Sequence, residues 1–219
     1  MKLSVTLAIL VFMLLPAKAE EPFDAHAVPS RSAYLAAMWS DLQVAIAQDE
    51  SAIAFCSADP DCGSDVALRL IGIVEEARQH QGRKLIGHIN RAVNLAVART
   101  RADVAWLSPL TALAQPGDCK SYAMVKYLAL GMAGIATADR RLVQVRFKNP
   151  PGDKHLIVLV RDEGRWLILD NRTNALVDST AAHAYEPLQA FDESGVSDYE
   201  PVSRAVAEVR PAPVQSANE

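Results

Sequence analysis

Apolar residues recur at helical spacing through the first half of the chain. Ser32 to Gln48 carries one apolar stripe, and two further amphipathic helices are predicted from Ser64 to about Gln79 and from Lys84 to Arg99. Asn90 and Asn94 lie one turn apart on the third helix. We expect these amides to be solvated or bonded within the core rather than directed at a site.

A fourth helix is predicted behind the turn Pro116-Gly117. Asp118 is a favourable N-cap residue, because its carboxylate can accept hydrogen bonds from free backbone N–H groups of the first turn. The segment from Cys119 to Met132 is almost uncharged, and only Lys120 and Lys126 carry charge in it. We therefore expect this helix to be the most buried one in the fold.

After Gly134 the apolar period changes from that of a helix to that of a strand. Leu142 to Phe147 alternates, His155 to Val160 is a continuous apolar run, and Trp166 to Asp170 is predicted to return beside it. A run of helices followed by strands indicates an α+β fold. Its antiparallel sheet is expected to pack on the helix that begins at Cys119.

Composition and charge limit the compartment and the partners. The 219 residues have a net charge of -4 and no basic block, which argues against a nucleic-acid or anionic-membrane partner. Residues 1–19 combine Lys2, an apolar run and Ala17-Lys18-Ala19, which is the pattern of a cleaved signal peptide. We expect a periplasmic or secreted domain over residues 20–201 and a disordered tail over residues 202–219. No stable membrane insertion is expected after cleavage, and an uncleaved anchor is the alternative.

Three cysteines in an oxidising compartment leave one without a partner. Cys56 and Cys62 flank a short run of turn-forming residues and can close a small disulfide. Cys119 is then an intermolecular bridge, a free reactive thiol or a small core residue, and its place at a helix N-terminus favours the thiolate. A zinc site from both paired cysteines, His80 and His88 is the weaker alternative, because the spacing fits no standard pattern.

The two apolar strands predict a partner pair for the cysteine. A hairpin turn centred on Asp162-Glu163 would pair Val160 with Arg165 and His155 with Asp170, and directly paired residues share a face. A carboxylate in that position fixes the histidine tautomer and leaves the second ring nitrogen for a nucleophile. A one-residue slip would instead place the two side chains on opposite faces.

Cys119, His155 and Asp170 together predict a Cys-His-Asp catalytic triad. The thiolate would attack an acyl carbonyl, and the backbone N–H of Cys119 would stabilise the oxyanion. The indole of Trp106 could add a second donor there, and a Trp106 that only closes the core is the equal alternative. From the residues alone, an inert thiol beside an unrelated histidine–aspartate pair weighs as much as the triad.

An ordered set of motifs extends this interpretation. The set comprises Trp106-x-x-Pro109, Gly117-Asp118-Cys119-x-x-Tyr122-Ala123-x-x-Lys126-Tyr127-x-Ala129-Leu130, His155-Leu156-x-Val158-Leu159 and Leu169-Asp170-Asn171, with the Cys56–Cys62 pair and Asn90-x-x-x-Asn94 upstream. It resembles the bacterial transglutaminase-like cysteine proteinases, which include the LapG-type periplasmic proteases that release biofilm adhesins. The resemblance implies a papain-like transglutaminase-core fold, a Cys119–His155–Asp170 triad and hydrolysis of a protein substrate at the cell envelope.

The nucleophile motif differs from the family pattern in two residues. LapG-type members typically have Gly-Asp-Cys-Glu-Asp there, and the acidic residues help to bind calcium. Here Lys120 and Ser121 follow the cysteine, and a lysine repels Ca²⁺, which needs several oxygen ligands. The N-cap role of Asp118 explains that residue without a metal. We therefore expect no cofactor and no calcium requirement, and we expect Lys120 to favour the thiolate.

The leading hypothesis is a periplasmic cysteine endopeptidase that acts through a thioester. One alternative is a protein-glutamine acyltransferase, in which an amine rather than water resolves the same intermediate. Another is a non-catalytic binding module on the same fold, against which the intact triad argues. The sequence does not separate the two enzymes, because the choice depends on water access.

Overall fold

The computed structural model describes residues 21–59, 61–148 and 152–200. The signal peptide expected over residues 1–19 and the tail expected over residues 202–219 lie outside these ranges. Within the described ranges, no helix combines the length and the apolar character needed to cross a bilayer.

Five α-helices occur in the described residues, and serine side chains begin three of them. They are α1 (Ala33–Ala58), α2 (Asp65–Ala77), α3 (Gly82–Ala96), α4 (Pro109–Ala114) and α5 (Cys119–Met132). The hydroxyls of Ser32, Ser64 and Ser108 each accept a hydrogen bond from the backbone N–H three residues later. These caps satisfy donors that would otherwise be free at the start of α1, α2 and α4.

The strands form one antiparallel sheet, so the expected α+β class is confirmed. They are β1 (His26–Pro29), β2 (Arg140–Phe147), β3 (Lys154–Asp162), β4 (Arg165–Leu169), β5 (Val177–Asp178), β6 (Tyr185–Asp192) and β7 (Gly195–Glu200). Their order across the sheet is β1-β7-β6-β2-β3-β4-β5. The long strands β2 and β3 therefore lie in the middle of the sheet.

The α5 helix is the buried centre of the molecule, as expected. Each residue from Ser121 to Leu130 is buried, and the helix packs against α3, α4 and the strands β2 and β3. One sheet face joins α5 in the main core through residues such as Leu156 and Val158. The other face forms a second apolar cluster that includes Ile157 and Leu159. Burial on both faces explains the continuous apolar run of β3.

The first helix continues well beyond the end predicted for it at Gln48. It reaches Ala58 and includes Cys56, where the sequence predicted a loop. Ile53 and Cys56 extend its buried face, and no glycine or proline interrupts the segment before Pro60. The apolar spacing therefore continues for ten residues beyond the predicted end of the helix.

The predicted hairpin register was wrong by two residues. Val160 pairs with Leu167 rather than with Arg165, because the turn is formed by Glu163 and Gly164. Both turn residues have positive φ angles, 48° and 81°, as a two-residue type I′ turn requires. A shift of two residues conserves the face, because side chains alternate with a period of two. His155 and Asp170 therefore remain neighbours, but as a diagonal pair.

Candidate active site

The N-terminus of α5 presents Cys119 on a braced turn. One carboxylate oxygen of Asp118 accepts from the backbone N–H of Lys120 at 2.9 Å, which is the expected N-cap bond. Its second oxygen accepts from the backbone N–H of Val104 at 3.1 Å and from the Lys120 ammonium at 2.5 Å. Cys119 is the first residue of the helix, half-buried and outside any disulfide. Asp118 thus fixes both the helix start and the segment before it.

Gly117 lets the chain lie close to this helix. Its N–H donates to the carbonyl of Ala98 at 2.8 Å, and its carbonyl accepts from Thr100 at 3.0 Å. A Cβ atom at Gly117 would lie 2.2 Å from the Cβ of Ser121, a distance that side chains do not tolerate. The glycine is therefore required by the close approach of the turn to the first turn of α5.

Asp170 is a buried carboxylate with three donors. Its Oδ1 lies 2.8 Å from Nε2 of His155 and accepts from the backbone N–H of Arg172 at 3.0 Å. The Tyr185 hydroxyl donates to Oδ2 at 2.5 Å. Tyr185 was missed in the sequence, because it enters from β6, a strand that was not predicted. With Nε2 on Asp170, the Nδ1 atom of His155 is left for the nucleophile.

Cys119, His155 and Asp170 lie together, and their pKa values favour an ion pair. Burial alone would raise the pKa of the Cys119 thiol, but hydrogen bonds from His155 and the backbone N–H of Leu156 outweigh it and lower the pKa. Burial opposes a charged His155, yet its bonds to Asp170 and Cys119 raise its pKa to about 9. Asp170 is also desolvated, but His155 lowers its pKa to about 2. The lowered thiol pKa and the raised imidazole pKa both favour a thiolate–imidazolium pair beside the ionised Asp170.

Aromatic packing holds the imidazole from its other side. The ring of Phe147 lies 5.7 Å from that of His155 and 5.1 Å from that of Tyr185, measured between centroids. The guanidinium of Arg172 lies 4.4 Å above the Phe147 ring. His155 is therefore confined between a carboxylate and an apolar ring, which limits its rotation.

Asn90 and Asn94 on α3 hold the loop that follows β4. Asn94 donates to the backbone carbonyl of Asp170 at 3.1 Å and to the side chain of Asn174 at 3.0 Å. Asn90 is fully buried and donates to the carbonyl of Thr173 at 3.2 Å. Both amides form hydrogen bonds within the structure, as expected. Their acceptors belong to the backbone of the segment that begins with Asp170.

Two residues that the sequence assigned to the site have other contacts. The Trp106 ring packs against Phe191, with centroids 5.3 Å apart, and it is not among the residues that line the cavity at Cys119. The ammonium of Lys120 binds Asp103 at 2.7 Å as well as Asp118. The charge of Lys120 is therefore taken up by two carboxylates, whereas His155 and a backbone N–H lower the pKa of the thiol.

The same lysine decides how well the turn would suit a divalent cation. An ammonium bonded to Asp103 and Asp118 competes with any metal for those oxygens. In the described part of the chain, no group of three or more His, Cys, Asp and Glu side chains is placed to hold a metal ion. At the nucleophile turn, the Lys120 ammonium therefore occupies the carboxylate oxygens that a calcium ion would need.

The other cysteines are joined to each other. Cys56 and Cys62 form a disulfide between the last turn of α1 and the loop before α2. The rings of His80 and His88 do lie 5.7 Å apart, but both thiols of the zinc alternative are consumed by the disulfide. The zinc interpretation was therefore wrong.

A cavity of about 830 Å³ opens in front of the cysteine and the histidine. Residues 99–103 and 117–119, residues 152–155 with Phe147, and residues 171–172 line it. Each of these stretches includes or adjoins one member of the Cys-His-Asp group. The cavity is wide and open enough for an extended chain to reach the thiol.

Comparisons with known proteins identify the family and the fold of the chain. The family model described as bacterial transglutaminase-like cysteine proteinase BTLCP matches residues 47–195. Calcium-bound LapG from Legionella pneumophila superposes with a TM-score of 0.55 at 18% identity, covering 68% of this chain and 87% of LapG. EGTA-treated LapG gives the same score and identity, and 84% of that chain is covered. At this identity the likeness concerns the fold, which is transglutaminase-like as expected. No curated protein matches the chain.

Proposed function

This chain belongs to the bacterial transglutaminase-like cysteine proteinases, and we propose that it is an endopeptidase with Cys119 as nucleophile, His155 as acid and base, and Asp170 as the orienting carboxylate. The observation that carries the proposal is the chain of contacts at the site. The thiol at the start of α5 and His155 line the same cavity, His155 lowers the pKa of the thiol, and Nε2 of His155 lies 2.8 Å from the buried Asp170. Such an arrangement activates a thiol for attack on an acyl carbon.

The proposed reaction has two halves that share a thioester. The Cys119 thiolate attacks the carbonyl carbon, and the carbonyl electron pair moves to the oxygen. The His155 imidazolium then protonates the amine as the C–N bond breaks, which leaves the acyl group on sulfur. Neutral His155 next takes a proton from water, water attacks the thioester, and the C–S bond breaks to restore the thiolate. Asp170 stays ionised throughout and stabilises the imidazolium.

The oxyanion would be stabilised from the helix terminus. The backbone N–H of Cys119 belongs to the first turn of α5, where N–H groups have no partner within the helix. A donor in that position lies next to the carbonyl that its own thiolate attacks. The place of Trp106 against Phe191 gives no support to the indole as a second donor.

We propose that the substrate is a protein at the cell envelope. The pattern of residues 1–19 supports export, and the Cys56–Cys62 disulfide fits an oxidising compartment. A cysteine peptidase of this family acts on a protein, and export brings it to proteins of the periplasm or the cell surface.

We further propose that the activity does not depend on calcium. The LapG comparison includes a calcium-bound structure, but here the Lys120 ammonium already bonds Asp103 and Asp118. EGTA treatment followed by dialysis is expected to leave both the hydrolysis rate and the melting temperature unchanged. A loss of either one that calcium alone restores would contradict the proposal.

The function is tested by comparing envelope proteins released by the wild type with those released by Cys119→Ala. Cleavage by the wild type only is expected, and His155→Ala should lower kcat/KM by about 10³-fold, the scale of general acid–base catalysis. His80→Ala is the matched control, because His80 is an exposed histidine in the turn that follows α2. Mass spectrometry in the presence of a primary amine distinguishes the reactions. Amide-linked adducts without cleavage would show an acyltransferase instead.

An inert thiol would argue against any enzyme. Iodoacetamide near neutral pH should label Cys119 stoichiometrically in the wild type and in His80→Ala, and only slowly in His155→Ala. Equal, slow labelling in all three folded proteins would indicate a non-catalytic module.

A further inference from the structure

Exposed cations line the cavity beside each member of the Cys-His-Asp group. Arg99 and Arg101 lie on the segment bonded to the nucleophile turn, Lys154 directly precedes the histidine, and Arg172 lies two residues after the aspartate. All four side chains are exposed and line the cavity. The cations therefore come from separate stretches of the cavity lining instead of forming one cluster at the edge of the cavity.

The acidic residues of the cavity offset this charge only in part. Lys120 binds Asp103 and Asp118 but balances only one of these two negative charges, so with Asp153 two negative charges stand against the four cations. Within residues 21–59, 61–148 and 152–200, none of the four cations forms an ion pair. The chain as a whole carries a net charge of -4, so a positive cavity mouth runs against its overall balance.

Two of these positions are held rigidly relative to the reacting atoms. The Arg172 guanidinium stacks on Phe147, and that ring in turn packs on the imidazole of His155. The Arg99 backbone is fixed because Gly117 bonds the residues on either side of it. The Arg172 charge is therefore already positioned, and it binds an anion with less cost for ordering a flexible side chain.

We propose that this cavity binds an acidic stretch of the substrate polypeptide beside the scissile bond, with Arg172 as the main specificity residue. The inference rests on the proposed endopeptidase function. Four separate cations around one nucleophile suit carboxylates spaced along an extended peptide better than they suit a single compact anion. The positive cavity would also steer acidic segments toward the thiol and raise the association rate.

Two pools of fluorogenic peptides test the preference. The pools have equal length and a randomised centre, which is flanked by Glu and Asp in one pool and by Gln and Asn in the other. We expect a higher kcat/KM for the acidic pool and a ratio between pools that falls about threefold in Arg172→Gln, as expected for one partly screened charge. Arg83→Gln removes the same charge beside Asp162, at the other end of β3 from His155, and should leave the ratio unchanged.

A second measurement does not need hydrolysis. The rate constants for alkylation of Cys119 by anionic iodoacetate and neutral iodoacetamide are compared in the same three proteins. The iodoacetate-to-iodoacetamide ratio should fall about threefold in Arg172→Gln and in high salt, but not in Arg83→Gln.

The two measurements separate the possible failures. If no peptide is cut but the alkylation ratio depends on Arg172, the endopeptidase proposal fails and the anion site stands. If both pools are cut equally and the alkylation ratio ignores Arg172, the acidic-substrate inference is overturned. Binding to phosphatidylglycerol vesicles that Arg172→Gln weakens, with no peptide preference, would assign the cations to a lipid surface and also overturn it.

Discussion

Asp170 is held by donors from three separate parts of the chain. The imidazole comes from β3, the backbone N–H from the loop after β4, and the phenol from β6. The side chain of Asn94 also donates to the backbone carbonyl of Asp170. A carboxylate with this many bonds has one orientation, and it therefore imposes one orientation and one tautomer on His155.

Removing one of these donors should weaken catalysis without abolishing it. Tyr185→Phe deletes only the hydroxyl that donates to Asp170, so we expect kcat/KM to fall about tenfold, the worth of one hydrogen bond to a charged group. Tyr34→Phe is the control, because Tyr34 is 76% exposed on α1. A Tyr185→Phe enzyme as active as the control, with the same melting temperature, would show that the hydroxyl does not position the carboxylate.

The pH profile should report the imidazolium of His155. Its pKa is raised to about 9, so the proton that the leaving amine needs is present below that pH and is lost as the pH rises through it. We expect kcat/KM to fall above about pH 9 and, in Asp170→Asn, to fall at a lower pH. The folded chain holds the His155 proton more tightly than the unfolded chain does, and this stabilises the fold. The contribution is full below pH 6.5, the ordinary pKa of histidine, and it is lost as the pH rises through 9. If kcat/KM of Asp170→Asn falls at the same pH as that of the wild type, the fall is not due to the His155 imidazolium.

At the scale of elements, the start of α5 depends on a close contact between a turn and a helix. Gly117→Ala would drive a Cβ into Ser121, so the turn and the segment around Thr100 must move. We expect a loss of stability of about 1–3 kcal/mol, as for other overpacked sites, and a larger loss of kcat/KM because Cys119 is displaced.

Gly72→Ala is the matched control for that substitution. Gly72 lies within α2, and a Cβ there would meet no atom within 4 Å. Alanine should therefore stabilise the helix by up to about 1 kcal/mol and leave activity unchanged. If Gly117→Ala keeps full activity and stability, the close approach is not a constraint on the site.

The elements also show what local pattern could and could not predict. The cap at Asp118, the helix behind it and the strands around His155 and Asp170 follow from short-range chemistry, so the sequence predicted them. The hairpin register was two residues off, and the histidine–aspartate contact survived only because the error was even. Tyr185 could not be predicted, because β6 pairs with β2, which is distant in sequence, and its side chains show no clear alternation.

At the scale of the whole molecule, the site forms where the core and the sheet meet. The α5 helix brings the thiol, β3 brings the base, and β6 crosses beside β2 to bring the tyrosine. The middle strands are apolar on both faces, so the sheet is held between two apolar clusters. The catalytic geometry therefore depends on the packing of α5 against the sheet. Substitutions of buried residues in α5 should change the free energy of unfolding.

Lys126, in the middle of α5, is the clearest such case. It is 1% exposed, and its ammonium has no hydrogen-bond partner among the described residues. Burial lowers its pKa to about 7, although the charge of Asp170 opposes the shift. Below about pH 7 both the folded and the unfolded chain hold this proton, so the fold bears the full cost of a buried ammonium. Between that pH and the ordinary value of 10.5, the unfolded chain binds more protons, and stability rises with pH.

Lys126→Met should therefore stabilise the protein, most of all at low pH. Methionine fills a similar volume without a charge, and we expect a gain of about 1–3 kcal/mol below pH 7 that narrows as the pH rises toward 10.5. The opposing pH dependence of His155 is present in both proteins and cancels in the difference. Guanidinium chloride unfolding of the two proteins across this range measures the gap, with Lys84→Met as an exposed control on α3. A gap that does not vary with pH would mean that Lys126 does not change protonation within the fold.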